Sequence, residues 1–181
     1  MGRSGLSLVR FLYRRGAIVS ITESSDTSGK LRLIKSVEGI IYKYQVGVHT
    51  KEFIIGQDLM VLSPAVRKDA DVVLWARQLN IPVLGEMELG SRFCTGKIVA
   101  VTGSNGKSTI VTLIGKILKN AGRSIEVGGN IGRPLCSFVD DLREASLVIL
   151  EVSTARLETI ERFKPALSVI LNITPNHLDR Y

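Results

Sequence analysis

Short aliphatic runs alternate along this chain with stretches whose apolar residues recur every three or four positions. That alternation predicts α/β layering with mainly parallel strands. Residues 6–15 carry Leu8, Val9, Phe11 and Leu12 on one helical face and meet a stop at Gly16. A strand is expected over 17–21, ending at Thr22-Glu23-Ser24-Ser25. Further on, the pattern predicts a short buried strand at 59–62 before Ser63-Pro64, a helix at 69–79 and a strand at 82–84. Between 28 and 55, β-branched and aromatic residues such as Ile40, Ile41, Tyr42 and Tyr44 favour strands without revealing their register.

Residues 86–96 read as a connector, with Gly90, Ser91 and Gly96 around a weak pattern, and a second segment begins at Lys97. It contains a strand at 98–102, a helix at 107–121 with Ile110, Leu113, Ile114, Ile117 and Leu118 on one face and Gly122 as its stop, and a strand near 124–127. The turn Gly128-Gly129-Asn130-Ile131-Gly132 follows. The runs at 147–152 and 167–173 are near-continuously aliphatic, as strands in the middle of a parallel sheet are. At the start, Gly2-Arg3-Ser4-Gly5 resembles the tail of a nucleotide-binding strand-to-helix turn, and the strand expected to feed it does not precede it.

The chemistry concentrates at Thr102-Gly103-Ser104-Asn105-Gly106-Lys107-Ser108-Thr109, where a strand runs into a glycine-rich turn and then a helix. Gly103 and Gly106 would let backbone N–H groups curl inward around phosphate oxygens, and the helix N-terminus adds its partial positive charge. Lys107 would supply a point charge for the β- and γ-phosphates and Ser108 a hydroxyl ligand for Mg²⁺. A plain strand-to-helix turn with a solvated lysine is the bland alternative. Val101 stands where the longer P-loop pattern has its first glycine, so this is the shorter Gly-x-x-Gly-Lys-Ser form.

Ligands of open α/β sheets bind beyond the carboxyl ends of the strands, which singles out the residues after each aliphatic run. Glu151 ends one run and is followed by Ser153 and Thr154; Thr174, Asn176 and His177 follow another, and Asn130 sits in the glycine-rich turn. Glu151 is either a Mg²⁺ ligand or water-positioning base, or a buried carboxylate satisfied by loop amides. His177 is either a direct participant or a structural hydrogen-bonding residue. His49 reads as structural or as a minor contact.

The 181 residues are 45% apolar and 23% charged, an ordinary globular balance that excludes a disordered chain. The net charge of +7 is spread evenly, with 12 basic and 9 acidic side chains over 1–90 and 12 and 8 over 91–181. No basic run points to nucleic acid, although the excess favours polyanionic substrates. Cys94 and Cys136 are too few for a disulfide framework, no leader pattern begins the chain, and no apolar stretch approaches the ~18 residues that span a bilayer. A cytoplasmic protein without membrane insertion is expected.

In the order in which they occur, these motifs resemble the Mur ligases: Gly2-Arg3-Ser4-Gly5-Leu6-Ser7, Ser63-Pro64, Gly85-Glu86-Met87-Glu88-Leu89, the P-loop, Gly129-Asn130-Ile131-Gly132, Glu151-Val152-Ser153-Thr154, Leu157-Glu158 and 172–181. The P-loop alone would indicate the wider ligase group, which includes folylpolyglutamate synthases. The Gly-Asn-Ile-Gly turn and Glu-Val-Ser-Thr strand end resemble the branch that adds D-glutamate to UDP-N-acetylmuramoyl-L-alanine. Three departures stand out: Asn176 where an acidic residue is usual, Ala65 for a glycine, and Thr154-Ala155-Arg156 for Ser-Phe-Gln.

The resemblance implies a Rossmann-like UDP-substrate-binding domain over 1–90, lacking its first strand, and part of a P-loop ATPase-type parallel-sheet domain over 91–181, lacking its end. It implies ATP-dependent amide formation through an acyl phosphate in peptidoglycan precursor synthesis. Gly103, Ser104, Asn105, Gly106, Lys107, Ser108 and Thr109 would bind ATP, with Lys107, Glu151 and His177 catalytic and Ser108, Glu151 and His177 holding Mg²⁺. Ser4, Glu23 and Ser63 would lie near the UDP group, and Asn130 and Ser153 near the muramoyl-alanine end. The complete enzyme is expected to be a monomer, and this chain alone to be inactive. Another Mur-type ligase, or a non-catalytic nucleotide-binding fragment, is the alternative.

Overall fold

The computed structural model describes residues 1–175 and is an α/β structure in which every paired strand is parallel. The first half comprises α1 (Arg3–Arg14), β1 (Ser20–Glu23), α2 (Ser28–Lys35), β2 (Lys43–Val46), α3 (Lys51–Ile54), β3 (Met60–Leu62), α4 (Asp71–Gln78) and β4 (Val83–Gly85). The second comprises α5 (Glu86–Ser91), β5 (Lys97–Thr102), α6 (Lys107–Asn120), β6 (Ile125–Gly129), β7 (Leu147–Glu151), α7 (Thr154–Leu157) and β8 (Leu167–Ile170). Strands β6, β7, β5 and β8 form one four-stranded sheet in that order, whereas β1 pairs with β2 and β3 with β4 as separate two-stranded sheets.

The predicted glycine stops act as expected. At the end of α1, Gly16 takes φ +76° and donates to the Tyr13 carbonyl while Ala17 donates to that of Leu12. Gly122 at φ +71° and Arg123 repeat the arrangement on Lys119 and Leu118 at the end of α6. This cap carries the chain out of α1 before it turns into the sheet. The following strand is therefore Ser20–Glu23 rather than 17–21, with Ile18 79% exposed and Glu23 inside the strand.

The region from 28 to 55, expected as strands, holds only one, β2. Ile40 closes a short 3-10 turn (Glu38–Ile40), and α2 and α3 flank it. Residues 86–91, expected as connector, form α5, which buries Glu86, Met87, Glu88 and Leu89. Strand β8 is an edge, not a central strand, among the described residues; Leu167 and Ile170 are 56% and 65% exposed. Leu113 and Ile117 of α6 are also half-exposed, and the face against the sheet is made by Ile110, Val111, Ile114 and Leu118.

Alternation along β5 and β7 divides the core. Val101 and Ile149 pack under α6, while Ile98, Ala100, Val148 and Leu150 face α5, Leu135, Cys136 and Phe138. Leu8 and Phe11 of α1 join this second layer, so both halves share one core there. Phe11 meets Phe93 edge-on at 5.4 Å, Arg15 stacks over both rings, and Arg14 and Arg15 clasp Asp140 at 2.9 and 2.6 Å. The Arg15 hydrogen bond, with Arg14 beside it, holds the Asp140 carboxyl below its ordinary value.

Candidate functional site

The parallel register sets Glu151 level with Val101 on one side and Gly129 on the other. Three strand ends therefore open at one edge of the sheet, as such folds require of a ligand site. Between β5 and α6, the loop turns through Gly103 at φ +142° and Gly106 at φ +81°. A Cβ on Gly103 would stand 3.1 Å from the Asn172 backbone and from Leu171 Cβ, so glycine is required by contact as well as by torsion. Among the described residues no side chain caps the start of α6, and no acidic residue occupies its first turn, which leaves its amides available to an anion.

Within this cradle the Lys107 Nζ donates to the Gly103 carbonyl at 2.5 Å and the Ser104 carbonyl at 2.9 Å. Ser108 Oγ donates to Glu151 Oε2 at 2.7 Å, and Asn130 Nδ2 donates to Glu151 Oε1 at 2.9 Å. Glu151 is 2% exposed, and among the described residues its carboxylate is met by these two side chains. The P-loop, the glycine-rich turn and the aliphatic strand thus bring four predicted residues together: Lys107, Ser108, Asn130 and Glu151. Thr109 lies exposed in the first turn of α6, and Ser153 caps the start of α7, where its carbonyl accepts from the amides of Arg156 and Leu157.

The first-half residues do not join that cluster among the described contacts. Ser4 lies in the first turn of α1, beside which a Cβ on Gly5 would approach Ser63 Oγ to 3.4 Å. Glu23 is paired with Lys30 at 2.6 Å and accepts from the Ser25 amide at 3.2 Å. His49 Nδ1 lies 2.6 Å from Thr22 Oγ1, and burial pushes its pKa below the ordinary value. His177 lies outside the described residues.

Several site-shaping residues carried no singular sequence signal. Asn172 is one, although it falls within a quoted motif. Its carbonyl accepts from the Ser104 amide at 3.0 Å, its Oδ1 from the Asn105 amide at 2.9 Å, and its Nδ2 donates to the Asn105 carbonyl at 3.0 Å. Thr174 donates its amide to Ser104 Oγ at 2.8 Å. The segment after β8 is thereby stapled to the P-loop.

Beside the site, Arg156 is 5% exposed, with Nη1 on Glu86 Oε2 at 2.5 Å and Nη2 on the Gly129 carbonyl at 3.0 Å. Its Nε is buried without a partner among the described residues. Glu88, fully buried, accepts from the amides of Glu161, Arg162 and Phe163 and from Arg92. Burial alone would raise its carboxyl, but those hydrogen bonds outweigh it and hold the group below its ordinary value. Burial likewise pushes the Cys136 thiol up, so it stays protonated at neutral pH.

A glycine-rich strand-to-helix turn at the edge of a parallel sheet, with a carboxylate and an amide at the two neighbouring strand ends, defines a parallel-sheet α/β protein. Residues 1–85 match the family described as Mur ligase MurD-like, N-terminal domain, and residues 101–181 match the Mur ligase middle domain, so the chain belongs to the Mur ligases. It is 44% identical over 184 residues to the UDP-N-acetylmuramoylalanine--D-glutamate ligase of Acidobacterium capsulatum and 42% identical over 181 residues to that of Desulfosudis oleivorans. Both alignments include the whole of this chain and 39% of the relative. The chain thus spans about two fifths of the length of these curated relatives. In fold it is similar to the crystal structure of UDP-N-acetylmuramate:L-alanyl-gamma-D-glutamyl-meso-diaminopimelate ligase from Neisseria meningitides, with a TM-score of 0.57 at 16% identity over 100% of this chain and 60% of that one.

Proposed function

We propose that the protein carrying this chain is an ATP-dependent ligase that joins D-glutamate to UDP-N-acetylmuramoyl-L-alanine in peptidoglycan precursor synthesis. The observation that carries this reading is the line Ser108–Glu151–Asn130, hydrogen-bonded at 2.7 and 2.9 Å beside the P-loop. In this reading the glycine-rich loop takes phosphate and the Asn130 amide faces substrate, on either side of one carboxylate. The names borne by relatives 44% and 42% identical over the whole chain support the same reaction.

In this reading 1–90 forms the UDP-substrate domain, with Ser4, Glu23 and Ser63 near the UDP group, and 91–181 the ATP domain. The loop 103–109 holds the triphosphate through Lys107 and the amides at the start of α6, and Asn130 and Ser153 hold the alanyl end with its carboxylate toward the γ-phosphate. A carboxylate oxygen attacks the γ-phosphorus and ADP leaves, giving an acyl phosphate. The amine nitrogen of D-glutamate then attacks the carbonyl carbon, phosphate departs, and the nitrogen loses its proton. Two anions must approach one another, so the Lys107 charge and oriented amides matter most where charge builds up.

The donor set fits Mg²⁺: Ser108 Oγ and Glu151 Oε2 are hard oxygen ligands 2.7 Å apart, and His177 would contribute to a second metal position. Bound there, the ion would neutralise phosphate charge. Among the described residues no helix is long and apolar enough to cross a membrane. In this reading the complete enzyme acts in the cytoplasm as a monomer.

The test is to incubate the full-length protein with ATP, Mg²⁺, UDP-N-acetylmuramoyl-L-alanine and D-glutamate and to follow ADP and the amide by mass spectrometry. ADP release that requires both other substrates, with one new amide per ADP, is the expected result. Equal use of a longer muramoyl-peptide, or ADP release with no amide, would overturn the assignment.

A further inference from the structure

We propose that Arg156 is a positioning residue: its buried guanidinium transmits the position of Glu86 to the Gly129–Asn130 peptide, and so aims Asn130. The inference deepens the proposed function and rests on its assignment of Asn130 to the muramoyl-alanine end.

A guanidinium is a rigid planar fork, so two partners on different nitrogens are fixed relative to each other. Here one partner is Glu86 Oε2 at 2.5 Å and the other the Gly129 carbonyl at 3.0 Å. Glu86 is itself held from behind, its Oε1 accepting from the Cys136 amide at 2.9 Å. On the far side, Gly129 has φ +101°, and a Cβ there would fall 2.3 Å from the Glu151 carbonyl oxygen. The peptide is therefore held in a conformation that only glycine permits, pinned by Asn130 N–H on the Glu151 carbonyl at 2.8 Å. The Asn130 side chain leaves this peptide for Glu151 Oε1 at 2.9 Å.

The contacts run unbroken from Glu86 through Arg156, Gly129 and Asn130 to Glu151 and Ser108. Arg156 also lines one small cavity with Ser63, Pro64 and Thr159, where the end of β3 meets α7. The guanidinium thus stands between the first half, to which the UDP end is assigned, and the turn that would grip the alanyl end. Arg156 itself reaches Asn130 only through the Gly129 carbonyl, and the described structure gives it no contact with Lys107 or the P-loop.

The experiment compares the full-length wild type with Arg156→Met, Arg156→Lys, Asn130→Ala and the Arg156→Met/Asn130→Ala double variant. Arg156→Met, which keeps the length and removes every donor, should raise KM for UDP-N-acetylmuramoyl-L-alanine about tenfold while KM for ATP stays within about twofold. The double variant should be no worse than Asn130→Ala, because both changes remove one grip. Arg156→Lys, which keeps the charge without the fork, should fall between wild type and Arg156→Met. Hydrogen exchange supplies a readout independent of turnover: the Asn130 amide should exchange at least tenfold faster in Arg156→Met, with Val101 in β5 unchanged. Equal rises in both KM values, additive losses in the double variant, or a uniform rise in exchange would overturn the proposal and leave Arg156 a brace. A wild type that forms no amide from this substrate would defeat the functional reading instead, and the exchange comparison would then decide the positioning by itself.

Discussion

The two halves of this molecule are built from the same kinds of element and differ in whether their strands join. In the second half, four strands form one sheet, β7 has Val148, Ile149 and Leu150 fully buried, and polar side chains from three strand ends meet within hydrogen-bonding distance. In the first half, β1–β2 and β3–β4 are separate pairs with separate cores, one around Val9, Ile21 and Ile34 and the other around Ile54, Val73 and Ala76. A cavity of about 690 Å³ lies between them, lined by 18–22 of one pair and 59–61 of the other. A shared hydrogen-bonded ladder fixes neighbouring strand ends in register. Where the ladder is interrupted, Glu23 and Ser63 share no described contact although both were expected near one ligand group. The hydrogen-bonded cluster of Ser108, Glu151 and Asn130 therefore lies on the continuous sheet.

The largest effect that would test this contrast is on turnover. Lys107→Ala in the full-length protein should lower kcat at least a hundredfold, on the order of 3 kcal/mol, with binding of the UDP substrate within about twofold. Steady-state kinetics and calorimetry measure the two, and an equal loss of UDP-substrate binding would erase the division of labour between the halves. Next comes Glu151→Gln, which keeps the shape but removes the charge that would hold a metal. Activity should fall steeply and recover in part with excess Mg²⁺; full activity with unchanged Mg²⁺ dependence would make Glu151 structural.

Stability should show the same contrast at smaller scale. Ile149→Ala, in the fully buried strand, should cost about 3–5 kcal/mol in urea unfolding, and Ile21→Ala, already beside the cavity, about 2 kcal/mol or less. Equal losses would mean that the first half is packed as tightly as the second.

The smallest effect concerns acid. Folding favours neutral His49, whose pKa lies below its ordinary 6.5, so its contribution is full above about pH 6.5 and declines as pH falls. Glu88 and Asp140 lie below their ordinary 4.5 and 3.8, so their contribution is full above those values and is lost as pH falls through the lowered ones. Unfolding followed by Trp75 fluorescence should show a slight loss between pH 7 and 5.5 that His49→Gln removes, and a larger one below pH 4.5 that Glu88→Gln reduces. The reverse assignment of the two phases would reverse the comparison.

Much of the second half was readable because its signals are local. The glycine-rich turn before α6, the Gly122 stop and the aliphatic run of β7 each lie within a dozen residues, and each became the expected element. The first half was read less well. Its β-branched residues at 40–41 suited strands, but pairing with β1 selected only Lys43–Val46. The run at 167–173 was equally misleading, since aliphatic character does not reveal whether another strand lies alongside, and β8 is an edge among the described residues.

Sequence by itself determined the α/β alternation, the glycine-rich strand-to-helix turn and the strand end at Glu151, because periodicity and turn residues act over neighbouring positions, and its motifs carried the resemblance to the Mur ligases. Only the tertiary structure decided that 86–91 is a buried helix, that Glu86 finds Arg156 70 residues away, and that Glu88 gathers the amides of 161–163. A carboxylate near a glycine in sequence reads as exposed connector. It can be buried only when distant donors satisfy its charge, and no local pattern records where those donors will fold.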